Sequence, residues 1–113
     1  MRVIYHRHDV LTDERITEYW QMLREPDCQR AVVSTLLNWN LDKVEGELGL
    51  IRQPTLVIWG RRDSILGSRY GVRLARQLSD ARIELLECGH VPQEEMPDEL
   101  ATLVQHFISE TRS

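Results

Sequence analysis

Pro54-Thr55-Leu56-Val57-Ile58-Trp59-Gly60 is the stretch on which the fold turns. Pro54 opens it, Gly60 closes it, and the residues between favour β structure without alternating apolar and polar. Such a run predicts a strand covered on both faces, as in the middle of a parallel sheet. Downstream, Gly71, Leu74, Ala75 and Leu78 fall at i, i+3, i+4 and i+7, which predicts a helix from about Ser68 to Ser79. Arg82-Ile83-Glu84-Leu85-Leu86-Glu87 reads as a second strand, and its partial alternation places it at or near a sheet edge. Pro97-Asp98 starts a last helix whose buried face is expected to be Leu100, Leu103, Val104, Phe107 and Ile108. Strand, helix, strand, helix is the βαβ pattern of an α/β protein, with a right-handed crossover.

Upstream of this region the chain reads as helical. Thr12-Asp13-Glu14 has the form of an N-cap followed by acids in the first turn, where the helix dipole favours them. Ile16, Tyr19, Trp20 and Leu23 then fall on one helix face. Pro26 stops that helix, because proline lacks the amide and restricts the residue before it. A second helix is expected from about Cys28 to Asn38, with Val32, Val33, Leu36 and Leu37 on one face. Asn38-Trp39-Asn40, Gly46 and Gly49 break the pattern, so the chain divides into a helical part, residues 1–49, and a βαβα part, residues 50–113.

The two parts do not make a complete sheet. A strand apolar on both faces needs helices above and below it and a strand on each side, and only one other convincing strand is present. Left open, Thr55–Trp59 offers an uncharged, β-prone edge of the kind that pairs with another chain. A homodimer through that edge is one expected consequence.

Composition removes several functions. The 113 residues include 14 Lys+Arg and 18 Asp+Glu, so the formal charge is 14 − 18 = −4. Hydrophobic residues at 42% and charged residues at 28% belong to an ordinary globular protein and not to a disordered chain. Lys43 is the one lysine, and no basic cluster offers a footprint for nucleic acid. No apolar run approaches the roughly 18 residues that cross a bilayer. Met1-Arg2-Val3-Ile4-Tyr5-His6-Arg7-His8-Asp9 carries charge where a signal peptide is apolar, so a cytoplasmic location is expected. Cys28 and Cys88 are too few for a disulfide scaffold and fit small buried hydrophobes in a reducing setting. His6-Arg7-His8-Asp9 has no second ligand cluster at a suitable spacing, so no metal is expected.

Functional residues of an open parallel sheet gather just beyond the carboxyl ends of its strands. Asp63 lies four residues past Trp59, and His90 lies three residues past Glu87. If the strands are neighbours, about 4.8 Å apart, the two loops emerge side by side and a carboxylate reaches an imidazole. The acid then holds the histidine in one tautomer and stabilises its protonated form, which equips the histidine as a general base. The alternative is a turn-capping Asp and an ordinary surface His.

The surrounding residues carry a family resemblance. Ile51-Arg52-Gln53-Pro54-Thr55-Leu56-Val57-Ile58-Trp59-Gly60-Arg61-Arg62-Asp63 resembles the acid-bearing segment of the α/β-hydrolase superfamily, and Cys88-Gly89-His90-Val91-Pro92-Gln93-Glu94-Glu95-Met96-Pro97 resembles its histidine segment. The resemblance covers about Ile51 to Glu110. It implies the C-terminal portion of an α/β-hydrolase fold, with Asp63 as triad acid, His90 as triad base and Glu95 as a brace for the loop. It also implies that Gly60 and Gly89 serve tight backbone turns. Gly67 departs from it, standing where many members have proline, so a more mobile Asp63 loop is expected. The first part is similar to the end of the helical cap of such enzymes. That reading lines a substrate pocket with Tyr19, Trp20, Trp39 and Val91, although packing between helices is the other role for the aromatics. Neither metal nor cofactor is implied.

The nucleophile is the missing piece. In this superfamily it sits in a Gly-x-Ser-x-Gly elbow that precedes the acid and the histidine. Ser34, Ser64, Ser68, Ser79, Ser109 and Ser113 all lack glycines two residues to either side. The expectation is a partial hydrolase that supplies acid and base for cleavage of small ester, carbon–carbon or amide substrates and is inactive alone. The attacking group implied for the whole protein is serine or, as the runner-up, aspartate. An inactive half-fold used as a binding or regulatory module is the alternative, and a small enzyme using Asp63 and His90 directly on water is a third.

Overall fold

A computed structural model describes residues 3–38 and 46–111. A 3₁₀ turn, His8–Val10, precedes helices α1 (Asp13–Arg24) and α2 (Pro26–Leu37). A second 3₁₀ turn, Leu48–Leu50, leads into strand β1 (Thr55–Gly60), helix α3 (Arg69–Gln77), strand β2 (Ala81–Leu86), the single turn α4 (Pro92–Glu95) and helix α5 (Pro97–Thr111).

The strands pair in parallel, in register from Thr55↔Ala81 to Gly60↔Leu86. Their ladder continues past the strand ends, where the Arg61 amide donates to the Leu86 carbonyl at 2.7 Å and the Arg62 amide to the Cys88 carbonyl at 2.9 Å. The two exit loops are therefore stitched together before their side chains are considered. Helix α3 makes the crossover and packs on both strands, while α4 and α5 pack on β1. Gly71 lets α3 approach the sheet, since a Cβ there would stand 2.7 Å from the Trp59 ring.

Local chemistry accounts for the helix boundaries. The Thr12 hydroxyl accepts from the Arg15 amide at 3.2 Å and caps α1. Glu25 is extended, with ψ 124°, because proline follows it. The second helix starts at Pro26 and not at about Cys28, since proline is well placed in a first turn whose amides have no partner anyway. The second strand is Ala81–Leu86, one residue earlier than the Arg82–Glu87 expectation.

Burial differs more from expectation. In β1 only Val57 and Gly60 are buried, so the strand is half-covered and not enclosed on both faces. Leu100, Leu103 and Phe107 of α5 are half-buried, whereas Val104 and Ile108 are exposed. Cys28 is only half-buried. Val32, Val33, Leu36 and Leu37 of α2 are all exposed. Besides Gly60, Gly71 and Gly89, the described residues that reach deep burial are Tyr5, Val57, Asp63, Cys88 and Glu95, and most of them lie at the carboxyl end of the sheet. The best-packed part of the molecule is thus the part that holds the polar groups. No helix among the described residues is long and apolar enough to cross a membrane.

Candidate active site

Asp63 and His90 meet. The His90 Nδ1 lies 2.8 Å from the Asp63 Oδ2, with 3% of the Asp63 side chain exposed and 37% of the imidazole. The other carboxylate oxygen, Oδ1, accepts from the amides of Ile65 and Leu66, each at 2.9 Å. Asp63 is therefore gripped on one oxygen by its own loop and aims the second at the ring. Burial raises its pKa, but the His90 hydrogen bond and the two amides outweigh burial and hold the carboxyl below its ordinary range. An ionised acceptor at Nδ1 fixes the proton there and leaves Nε2 as the basic nitrogen. The pair opens on a hollow of about 250 Å³, lined also by Ile58, Trp59, Gly60, Pro92, Gln93 and Leu100.

Backbone contact sets the spacing of the two loops. A Cβ on Gly60 would fall 1.8 Å from the Gly89 carbonyl oxygen, and one on Gly89 would fall 2.5 Å from the Ile4 carbonyl oxygen. No described glycine has a positive φ. The glycines therefore serve close approach, and not the turning of the backbone expected from sequence.

Glu95 completes the frame. It is 1% exposed, and its Oε1 accepts from the Gly89 amide at 2.8 Å. Its Oε2 accepts from the amides of His6 at 3.0 Å and Arg7 at 2.7 Å. The His90 amide donates to the Ile4 carbonyl at 2.7 Å, and the Ser64 hydroxyl donates to the Val3 carbonyl at 2.7 Å. Residues 3–7 thus run beside both loops. Sequence reasoning gave this stretch no part in the site, and the only signal it held was Tyr5, an aromatic among charged residues.

The remaining residues named from sequence are placed as follows. Tyr19 is half-buried, and its hydroxyl donates to the Glu94 carboxylate. Trp20 is 63% exposed. Val91 is half-buried, and its carbonyl accepts from the amides of Glu94 and Glu95. None of these three lines the hollow beside His90. Trp39 lies outside the described residues. The Cys88 thiol is fully buried, and burial, followed by the charges of Glu95, Asp63 and Glu87, pushes its pKa up to about 11. It stays a thiol at neutral pH and is a poor nucleophile. Arg7 pairs with Asp9 at 2.8 Å, and no group of three or more His, Cys, Asp or Glu among the described residues is disposed to hold a metal.

No family model matches the chain. A 2-hydroxy-6-oxo-6-phenylhexa-2,4-dienoate hydrolase of Comamonas testosteroni is 30% identical, over 96% of this chain and 39% of the relative. A monoacylglycerol lipase of Bos taurus is 35% identical, over 68% of this chain and 21% of the relative. The crystal structure of an alpha/beta hydrolase enzyme from a Mar Chica lagoon sediment metagenome superposes with a TM-score of 0.68 at 22% identity, covering 89% of this chain and 47% of that one. The chain spans about two fifths or less of the length of these curated relatives. It belongs to the α/β-hydrolase superfamily and corresponds to the C-terminal part of such proteins.

Proposed function

We propose that this chain supplies the acid, Asp63, and the base, His90, of a hydrolytic triad whose nucleophile comes from a segment outside these 113 residues. The carrying observation is the 2.8 Å contact between Asp63 Oδ2 and His90 Nδ1, which leaves Nε2 as the basic nitrogen of a ring that lines the hollow. In the completed site, Nε2 takes the proton from a serine hydroxyl as that oxygen attacks the substrate carbonyl. Asp63 stabilises the imidazolium, which then gives its proton to the leaving group. Water activated by the same nitrogen releases the acyl group from the serine. With an aspartate nucleophile, His90 acts in the second step alone. The hydrolase and lipase relatives support a small ester or carbon–carbon substrate, and a cytoplasmic location is part of the same proposal. Residues 1–49 form the end of a cap beside the pocket in this reading, and residues 50–113 belong to the core.

A p-nitrophenyl ester tests the reading. The chain alone is expected to show no turnover above an His90→Ala control, because an absent nucleophile costs on the order of 10⁶ in rate. Joining it to the N-terminal part of the Comamonas relative is expected to give turnover that depends on His90. Activity of the chain alone that His90→Ala removes would mean that no further nucleophile is needed. A folded but inactive union would favour the binding-module reading.

The outer edge of β1 has no strand partner among the described residues. Further strands of the same sheet cover it in the whole protein, and in the isolated chain a second copy does. Sedimentation at rising concentration is expected to show a monomer–dimer equilibrium, and a monomer throughout would remove the second copy from the account.

A further inference from the structure

Packing holds α1 only loosely. Ile16, Trp20 and Leu23, three of the four residues on its apolar face, are exposed. The fourth, Tyr19, belongs to a polar cluster centred on Glu94, the third residue of the single turn α4. The Tyr19 hydroxyl donates to Oε1 of Glu94 and the Tyr5 hydroxyl donates to Oε2 at 2.5 Å. The Arg15 guanidinium lies 3.3 Å from Oε2, and its Nη1 donates to the Val10 carbonyl at 2.8 Å. Two adjacent carboxylates thus divide one task. Glu95 takes backbone amides around the His90 loop, while Glu94 takes side chains from the N-terminal segment and from α1.

We infer that Glu94 is a positioning residue that latches α1 onto the turn carrying His90, with one phenol on each carboxylate oxygen. The turn α4 begins two residues after His90, so a shift of α1 reaches the base through a very short lever. The same contact closes one wall of a hollow of about 490 Å³ lined by Arg15, Glu18, Tyr19, Met22 and Glu94. The latch therefore sets the distance between that wall and the imidazole.

Charge agrees with the geometry. Burial opposes ionisation of Glu94, but the two phenols and the Arg15 cation prevail and hold its carboxyl below the ordinary range. Burial first, and then the Glu94 hydrogen bond, push the Tyr5 phenol far up; the Glu94 bond leads for Tyr19. At neutral pH the cluster is one carboxylate with two neutral donors and one guanidinium.

Hydrogen exchange and tyrosine absorbance on the full chain test the inference, and neither depends on turnover. Their failure would leave the triad proposal standing, and failure of the triad proposal would leave the latch standing. In Glu94→Ala, amides of α1 are expected to exchange about tenfold faster or more, from the loss of hydrogen bonds to a charged group. Amides of β1 and β2 keep their protection, and Gln21→Ala, at an exposed position of α1 outside the cluster, leaves α1 unchanged. In the alkaline titration of the wild type, Tyr70 is expected to ionise early, because the Arg69 hydrogen bond and cation lower its pKa, and Tyr5 and Tyr19 are expected to ionise late. Glu94→Gln keeps the shape and removes the charge, so it is expected to bring Tyr19, for which the Glu94 bond leads, down towards about 10, and to lower Tyr5, which burial still raises, only part of the way. Unchanged α1 protection, or a Tyr19 phenol that stays late in Glu94→Gln, would overturn the latch. A loss of protection spread equally over α1 and the strands would also overturn it, making Glu94 a determinant of the whole fold.

Discussion

Once the chain is joined to a nucleophile-bearing segment, His90→Ala is expected to lower p-nitrophenyl ester turnover by about 10⁶-fold, because removal of a triad base costs roughly as much as removal of the whole triad. Asp63→Asn is expected to cost about 10⁴-fold, since an amide in that place lets the ring adopt the wrong tautomer. The difference between the two tests the geometry, as Asp63 acts only through Nδ1. A nitrogen NMR spectrum of the isolated chain gives an independent check. The His90 proton is expected on Nδ1 in the wild type, and its resonance is expected to change in Asp63→Asn. An Asp63→Asn loss equal to that of His90→Ala, or a ring tautomer indifferent to Asp63, would defeat the assignment. Acid stability carries the same signature. The Asp63 carboxyl has a depressed pKa in the folded chain, so its contribution is present above the unfolded value of about 3.9. That contribution disappears as pH falls through the lower folded value, and Asp63→Asn is expected to flatten this part of the acid-unfolding curve.

Glu95→Ala is expected to be the most damaging change to stability, on the order of 2–4 kcal/mol in urea unfolding. Three backbone amides lose their acceptor at once: that of Gly89, whose bond is buried, and those of His6 and Arg7, whose bonds are part-buried. Each unsatisfied buried donor costs about 1–3 kcal/mol, against a total stability for a small domain of roughly 5–15 kcal/mol. Glu95→Gln retains an acceptor for Gly89 but turns an NH₂ towards the amides of His6 and Arg7. It is expected to recover only part of the loss. A cost below about 1 kcal/mol for Glu95→Ala would mean that the N-terminal segment is not held by this carboxylate.

The parallel strands and the acid–imidazole pair were legible because their signals are local. Proline, an apolar run and glycine delimit β1, and the positions of Asp63 and His90 after their strands follow from the chain order. The role of Glu95 was also legible, through the resemblance of its segment. Glu94 was not, because its partners Tyr5, Arg15 and Tyr19 lie far away in sequence and no periodicity couples them to it. The turn α4 is too short to leave a periodic trace. Periodicity also overstated burial in α1 and α2, for a helical stripe reveals which face is apolar and nothing about what covers it. Glycine was misread for a related reason. Sequence suggests freedom of φ, while Gly60 and Gly89 answer to the proximity of a second backbone segment.

The bonds from residues 3–7 to the two loops join positions 61 to 89 apart in the chain. Closure over such separations is entropically slow and gains nothing until both ends are in place. The helix and strand pairing of β1, α3 and β2 can condense locally, but the bonds of His90 and Glu95 to residues 4–7 form only when that segment returns to them. During synthesis residues 6 and 7 must wait, without that carboxylate, until Glu95, 89 and 88 positions later, has emerged.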